Sequence, residues 1–221
     1  LCCVVESTTY GSAFYKTAGI PGSGHEAGWV KIEPSGTVNA SVGLMASGQG
    51  YETTLAQVVA EPLGVDPSDV KIHLGNTDTA PYGMGSRGAR GGTAGGGVLL
   101  IAAQALREKV LTIAAALLGL NTSSELRLSA GRVERRLGGA WTDTGLSLAD
   151  IAHVAYLDPL RLPPDMEPGL EVHRAYDPPP MTFSNSTHAC EVLIDCETGR
   201  LVIERYLVVE DCGTVYNPAI V

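Results

Sequence analysis

Short apolar runs and alternating patterns predict much of this chain as β-strands joined by tight turns. Pro34-Ser35-Gly36 and Ala130-Gly131 each separate two such runs, and a polar segment from Asp195 to Gly199 separates a third pair, so we expect three hairpins. The predicted strand segments are residues 1–7, 29–33, 37–43 and 70–74, the hairpin 126–137, and the hairpin formed by 189–194 and 201–209.

Helical spacing of apolar residues predicts three helices between these strands. The first begins near Tyr51, and Pro62 is expected to end or kink it at the preceding residue, because proline lacks the N–H that a helix interior needs. A nearly unbroken apolar pattern over residues 98–118 predicts a long buried helix. Ser147 opens the third helix, with Asp150 at the position of a capping box.

The order of these elements favours the α+β class, with β-hairpins and a mixed sheet packed against the long buried helix. Residues 158–180 carry seven prolines and are expected to form a long extended connection. We expect one partial domain over residues 1–221, with a possible division into a first half, 1–120, and a hairpin half, 121–221.

Composition and charge limit the functions open to the chain. Hydrophobic residues make up 44% of the 221 positions, which is ample core material for a globular protein, and the formal net charge of -9 argues against a general nucleic-acid or anionic-membrane surface. Five cysteines without metal-ligand spacing indicate reduced thiols in a cytoplasmic setting. Cys2, Cys3 and Cys190 are interpreted as small buried hydrophobes.

Both ends of the sequence are apolar. The chain starts within a strand pattern at Leu1 and stops on Ile220 and Val221 directly after a turn, whereas complete domains usually end in polar tails. We therefore expect a fragment of a longer polypeptide, or a short chain that needs partners.

A glycine-dense segment, residues 83–97, carries the most chemical information. Eight of its fifteen residues are glycine, and glycine lets backbone N–H groups approach an anion without a side chain in the way. The following helix start adds unpaired donors, and Arg87 and Arg90 add charge suited to phosphate or to an acidic partner surface. Neither a P-loop nor a dinucleotide-binding βαβ unit is present, so the residues alone indicate anion binding, with a flexible surface loop as the alternative.

An ordered set of short motifs runs along nearly the whole chain. It comprises Ser47-Gly48-Gln49-Gly50, Leu63-Gly64-Val65, residues 76–81, the glycine-dense segment, residues 188–192, Asp195-x-x-Thr198-Gly199, and Asp211-Cys212-Gly213-x-x-x-Asn217-Pro218. This order and spacing resembles the molybdenum-binding large subunit of the xanthine dehydrogenase, aldehyde oxidase and carbon monoxide dehydrogenase family.

The resemblance implies a molybdenum–molybdopterin dinucleotide cofactor, in its cytosine form, held by backbone and polar side chains. It places the amide of Gln49 on the cofactor and the pyrophosphate and nucleotide part against residues 91–97, with Thr93 as a hydroxyl donor. The cofactor-binding residues expected from the resemblance and from the anion-site interpretation are Gly48, Gln49, Gly50, Arg90, Gly91, Gly92, Thr93, Ala94, Gly95, Gly96 and Gly97. No catalytic residue and no metal ligand is assigned within the chain.

The resemblance also implies the activity and partners of the parent enzyme. Such enzymes oxidatively hydroxylate a small molecule with water, and electrons leave through [2Fe-2S] clusters to FAD on other subunits or domains. A homodimer of the large subunit, no nucleic acid, no membrane and a cytoplasmic location are expected. The family's general-base glutamate lies beyond the Asn-Pro motif, so we expect the present chain alone to be inactive.

Two questions stay open from the sequence, the substrate and the function class. The substrate could be an aldehyde, an N-heterocycle or carbon monoxide, although Asp211-Cys212-Gly213 favours the branch similar to bacterial carbon monoxide dehydrogenase. A non-catalytic nucleotide-binding module and an assembly module are alternative functions. Bound molybdenum with substrate-dependent dye reduction would favour the enzyme over both.

Overall fold

The computed structural model describes residues 1–220, which form ten strands, four α-helices, and short 3₁₀ and π-helical turns. The strands are β1 (Cys2–Tyr10), β2 (Glu26–Ile32), β3 (Val38–Val42), β4 (Val70–His73), β5 (Leu126–Ser129), β6 (Arg132–Leu137), β7 (Ala140–Ser147), β8 (Glu171–Tyr176), β9 (Met181–Ile194) and β10 (Leu201–Asp211). The α-helices are α1 (Ser12–Thr17), α2 (Tyr51–Leu63), α3 (Gly97–Leu117) and α4 (Leu148–Leu157). The 3₁₀ turns are Pro67–Asp69 and Pro159–Arg161, and the π-helical turn is Gly91–Gly96.

A mixed four-stranded sheet, the central sheet, organises the core. Its strand order is β4-β3-β2-β8, with β4 parallel to β3 and the other pairs antiparallel. Burial alternates along β2, where Val30 and Ile32 point into the core, as the period of a half-buried strand requires. The predicted α+β class is confirmed, as is the first hairpin.

The long helix α3 packs across this sheet and against α2. Val98, Leu99 and Leu106 are fully buried, so the predicted buried helix is confirmed. Its start was predicted too late, because the segment Gly91–Gly96, expected to be a loop, is a π-helical turn that runs directly into α3. We call Gly91–Gly96 the glycine turn.

The end of α2 also differs from the sequence prediction. Pro62 was expected to stop this helix at the preceding residue, but the helix includes Pro62 and ends at Leu63. A proline removes one N–H bond at any interior position, and here Leu63 is the last helical residue, so the helix ends directly after the proline. Gly64 then adopts a left-handed conformation, with φ of +60°, and caps the helix.

The second half of the chain contains some elements that the sequence predicted and others that it did not. The hairpin β5–β6 and the capping box of Ser147 with Asp150 at the start of α4 are confirmed. Strand β7 was missed, and β8 lies inside the proline-rich segment expected to be an extended connection. β8 pairs with β2, and β9 pairs with β1, so two sheets cross the proposed division at residue 120.

The outer sheet, in the order β1-β9-β10, confirms the last hairpin but lies open to solvent. Within residues 1–220 every residue of β10 is exposed, including Leu207 and Val209. Cys2, Cys3 and Cys190 lie on this sheet and are exposed, so their interpretation as buried hydrophobes is wrong. The apolar strand pattern suggested burial, but nothing in the described part of the chain covers these three cysteines.

Candidate functional site

A cavity of about 680 Å³ lies where the outer sheet faces the start of α2 and the glycine turn. It is lined by Glu6, Thr8, Gln49, Tyr51, Thr54, Leu55, Ala89, Gly92, Thr93, Gly97, Tyr176, Ser184, Glu210, Cys212, Thr214, Val215, Tyr216, Asn217 and Ile220. Residues from both ends of the chain therefore meet at one concave surface. The volume is in the range of small-molecule and cofactor sites, roughly 300–1,000 Å³.

The cavity brings together only some of the residues that the sequence assigned to a cofactor. Gln49, Gly92, Thr93 and Gly97 line it. The remaining predicted residues do not reach its surface, and these are Gly48, Gly50, Arg90, Gly91, Ala94, Gly95 and Gly96.

Gln49 sits at the tip of a turn that glycine makes possible. Gly48 and Gly50 have φ values of +94° and +74°, a left-handed region where residues with a Cβ are strained. The Gln49 Oε1 atom accepts a hydrogen bond from the backbone N–H of Ser47 at 2.5 Å. That bond occupies the acceptor end of the amide, so its NH₂ end is the donor that a ligand in the cavity would meet.

Most glycines of the glycine turn, and Gly97 directly after it, are required by close packing that could not be predicted from the sequence. A Cβ built on Gly97 would lie 2.7 Å from the Tyr176 ring, and one on Gly96 would lie 3.3 Å from the Tyr216 hydroxyl. Gly91 is similarly closed by the Tyr51 hydroxyl, and Gly95 by the side chain of Leu44. Three of these four neighbours, Tyr51, Tyr176 and Tyr216, also line the cavity. Several glycines are thus required by aromatic packing, independently of any anion.

The start of the glycine turn still offers backbone donors. The first intrahelical bond runs from the N–H of Ala94 to the carbonyl of Arg90 at 2.8 Å. The N–H groups of Gly91, Gly92 and Thr93 precede that bond and have no acceptor within the helix. With the partial positive charge of a helix N-terminus, this end of the cavity suits an anionic group.

Neither arginine of the glycine-dense segment lines the cavity. Arg90 is 3% exposed and forms an ion pair with Glu26, which is fully buried. Arg87 donates to the Tyr15 hydroxyl and lies over the Tyr15 ring, 5.6 Å from its centroid. The placement of the two side chains does not support the predicted phosphate contacts, because both guanidinium groups are already engaged elsewhere.

The charge on the cavity wall comes from carboxylates. Glu6 and Glu210 line its outer-sheet side, and among the residues that the structure describes no lysine, arginine or histidine lines it. An anionic part of a ligand is therefore favoured at the glycine turn, away from these carboxylates. Burial raises the pKa of Tyr216, so its phenol stays protonated and acts as a hydrogen-bond donor.

The segment after β10 closes the cavity. None of its residues was predicted from the sequence as a cofactor-binding residue. Asp211 accepts from the N–H of Gly213 at 3.0 Å, and Asn217 Oδ1 accepts from the N–H of Ala219 at 2.9 Å, so the predicted turn-fixing roles are confirmed. Asn217 also reaches back to α2, where its Nδ2 donates to Gln57 Oε1 at 3.2 Å. The Asn-Pro motif could have indicated this closure, but its partner on α2 could not be read from spacing.

Comparison with known proteins agrees with this architecture. The sequence profile of the molybdopterin cofactor-binding domain matches residues 1–221, and the chain belongs to that family. It is 38% identical over 192 residues to the carbon monoxide dehydrogenase large chain of Afipia carboxidovorans, covering 87% of this chain and 23% of that protein. It is 35% identical over 217 residues to the nicotine 6-hydroxylase large subunit of Paenarthrobacter nicotinovorans, covering 98% of this chain and 26% of that protein.

Solved structures give the same family. The crystal structure of quinoline 2-oxidoreductase from Pseudomonas putida 86 superposes with a TM-score of 0.85 at 35% identity, covering 99% of this chain and 27% of that one. The predicted resemblance is confirmed. The chain spans about a quarter of the length of the relatives it matches.

Within residues 1–220, no group of three or more histidine, cysteine, aspartate or glutamate side chains is arranged to hold a metal ion. No helix in the same range has the length and apolar character needed to cross a membrane.

Proposed function

We propose that the cavity binds the pyrophosphate-bearing part of a molybdopterin dinucleotide, in its cytosine form. The observation that carries the proposal is that Gln49, Gly92 and Thr93, from two separate motifs, line one cavity of about 680 Å³. The residues present fit such a group, because the wall offers neutral donors and free helix N–H groups. A metal whose ligands come from the pterin needs no protein ligand cluster.

Each residue has a distinct part in this proposal. The Gln49 NH₂ group donates to the ligand, and its carbonyl is held by Ser47. The N–H groups at the start of the glycine turn and the Thr93 hydroxyl bind the pyrophosphate. When bound, the cofactor supplies oxidative hydroxylation of an aldehyde or N-heterocycle, or oxidation of carbon monoxide, with water as the oxygen source.

The natural protein is proposed to be the large subunit of a molybdenum oxidoreductase complex. Relatives include a "large chain", a "large subunit" and a "complex subunit gamma", which supports assembly with other subunits. We propose that partner subunits or domains carry [2Fe-2S] clusters and FAD, that large subunits pair as a homodimer, and that the complex is cytoplasmic. The general-base glutamate is proposed to lie outside residues 1–221, so this chain alone has no turnover.

An assembly module is the second candidate, and the open outer sheet favours it. Apolar side chains such as Leu193, Ile203 and Leu207 are exposed there, as expected of a surface that another polypeptide segment covers. The two functions are compatible, since a cofactor cradle inside a larger subunit needs both.

The proposal is tested by cofactor content in the full-length protein expressed with its partners. Gln49→Ala should lower bound molybdenum and cytidine nucleotide per protein, because the ligand loses the hydrogen bond from the Gln49 amide, worth about 0.5–1.5 kcal/mol. Gln104→Ala is the matched control, since Gln104 is exposed on α3 and does not line the cavity. Unchanged content and unchanged turnover in Gln49→Ala would contradict the assignment.

The inactivity of the chain alone is tested separately. Purified residues 1–221 are assayed with several aldehydes, N-heterocycles and carbon monoxide in the presence of an electron-accepting dye. No turnover is expected, because loss of a general base alone costs on the order of 10²–10⁴-fold. Sustained dye reduction by this chain would overturn the placement of the base outside it.

A further inference from the structure

The ion pair of Glu26 and Arg90 is the most deeply buried charged group in the described part of the chain. Glu26 is 0% exposed and Arg90 is 3% exposed. Such pairs are weak stabilisers, because desolvation of both charges offsets much of their attraction. Stability alone is therefore a weak reason for a buried pair directly before the glycine turn.

The carboxylate holds both ends of one loop. Glu26 Oε2 accepts from the backbone N–H of Met84 at 3.3 Å and from the guanidinium of Arg90. Met84 and Arg90 bracket the last part of the connection between β4 and the glycine turn. A single buried oxygen thus fixes both ends of that last part.

The guanidinium uses its fork to hold three groups at once. Arg90 Nη2 donates to the carbonyl of Gly24 at 2.7 Å, and Nη1 donates to the carbonyl of Gly85 at 3.3 Å besides pairing with Glu26. A lysine ammonium carries one compact charge and lacks this planar arrangement. These contacts hold Arg90 against Glu26 of β2, against Gly24 just before β2 and against Gly85.

The backbone is shaped around this pair. A Cβ on Gly43 would lie 2.6 Å from Glu26 Oε1, and one on Gly83 would collide with the same atom. Glu26 Oε1 is itself buried without a hydrogen-bond partner in the described residues. The position of the Glu26 carboxylate therefore requires glycine at positions 43 and 83 and leaves its Oε1 atom without a hydrogen bond.

Arg90 is also the residue on which the glycine turn begins. Its carbonyl accepts the first intrahelical bond, from Ala94, and the next residues include Gly92 and Thr93 of the cavity wall. Holding Arg90 therefore sets the direction in which the first N–H groups of the turn point. The side chain itself does not line the cavity.

We infer that Glu26 and Arg90 are positioning residues, which fix the start of the glycine turn so that its backbone donors face the cavity. The inference rests on the proposed function for its ligand, because the donors matter only if the cavity binds an anion. It replaces the direct phosphate contact that the sequence suggested for Arg90 with an indirect role through the backbone.

The test compares Arg90→Lys with Arg132→Lys in the full-length protein freed of cofactor. Arg132 pairs with Asp143 on the exposed small sheet β5-β6-β7 and is a matched control. Hydrogen exchange is measured for the hydrogen-bonded amides 94–97, together with the melting temperature and the Kd for cytidine 5′-diphosphate as probe. Arg90→Lys should speed exchange at 94–97 and weaken binding, each by about tenfold, the effect of losing one hydrogen bond to a charged group.

The outcomes separate positioning from other roles. Wild-type exchange at 94–97 in Arg90→Lys overturns the inference, and so does a uniform rise across β2 and α3 with a lower melting temperature, which indicates a purely structural role. If no protein binds the probe but exchange at 94–97 rises, the proposed function fails and the positioning role stands. If Arg90→Lys does not fold, Glu26→Gln, which keeps the side-chain volume, takes its place with the same expectations.

Discussion

Tyr216 donates its phenolic hydrogen to the carbonyl oxygen of Gly92 at 3.2 Å, across 124 residues of sequence. The bond ties the segment after β10 to the glycine turn, which carries part of the cavity wall. Both residues line the cavity, so the contact joins two of its walls. Closure of the site therefore depends on this hydrogen bond, on the packing of the Tyr216 ring and on the bond from Asn217 to Gln57.

Tyr216→Phe should lower the free energy of unfolding by about 0.5–1.5 kcal/mol, because it removes the bond and keeps the ring. Burial raises the pKa of Tyr216, so the protonated phenol is the form that the fold favours. Its contribution should be complete below the ordinary Tyr pKa and be lost only as pH rises through the raised value. Urea unfolding at pH 7 and pH 9 should give the same loss, and Tyr82→Phe, at an exposed ring, should give almost none.

Gly92→Ala should raise stability and weaken ligand binding together. Gly92 is within the glycine turn, and the nearest atom to a Cβ there is Tyr216 Cε2 at 3.7 Å, an ordinary contact. Alanine in a helical position is favoured over glycine by about 0.5–1 kcal/mol. The added methyl group would project near the donors of the cavity wall. Thermal unfolding and cofactor content are the two measurements, and a rise in both would refute the placement of the ligand.

Gly95→Ala is the companion variant for that experiment. Its Cβ would collide with the side chain of Leu44, and Gly95 does not line the cavity. We expect it to lose stability through overpacking, by about 1–3 kcal/mol. The pair thus separates glycines needed for packing from those beside the ligand.

The sequence predicted elements whose causes are local. The capping box of Ser147 and Asp150, the turn at Ala130-Gly131 and the apolar repeat of α3 are each readable within a few residues, and all three are confirmed. Strand β8 was missed because its pairing with β2 lies far away in sequence. The inclusion of Pro62 in α2 could not be predicted either, because the end of that helix is not set by the proline alone.

The candidate site divides in the same way. The motifs around Gln49 and the glycine-dense segment contribute residues to one cavity, and short glycine spacings reported that local backbone geometry. The pairing of Arg90 with Glu26 could not be predicted from the sequence, because only the fold brings the two side chains together and buries both. The three tyrosines on the cavity wall carried no signal, as each meets its glycine only through tertiary packing.

The capping box of α4 should make stability depend on acid. Ser147 Oγ donates to the Asp150 carboxylate, as does the Ser147 backbone N–H, and these bonds hold the pKa of Asp150 below its ordinary value. Its contribution is present above the unfolded pKa and is lost as pH falls through the lowered folded value. Ser147→Ala should cost about 1 kcal/mol at pH 7. Urea titrations should show a smaller difference near pH 2, and a constant difference would contradict the assignment.

Two glycines that end helices in the same conformation offer a final comparison. Gly64 follows α2 with φ of +60°, and Gly119 lies just after α3 with φ of +66°. A Cβ on Gly119 meets nothing within 4 Å, whereas one on Gly64 would lie 2.5 Å from the carbonyl oxygen of Leu128. The backbone strain is shared, so any difference between the two alanine variants reports the collision.

Gly119→Ala should cost about 1–2 kcal/mol from the left-handed conformation alone. Gly64→Ala should cost about 1–3 kcal/mol more, because its neighbour is backbone on β5 and cannot move aside as a flexible side chain would. The carbonyl of Gly64 also accepts from the N–H of Gly131 at 2.8 Å, so a shift at Gly64 would disturb the β5–β6 turn as well. Denaturant midpoints of the two variants measure the difference directly. Equal losses of stability in the two variants would mean that Gly64 and Leu128 can move apart at no cost, which would contradict the predicted collision.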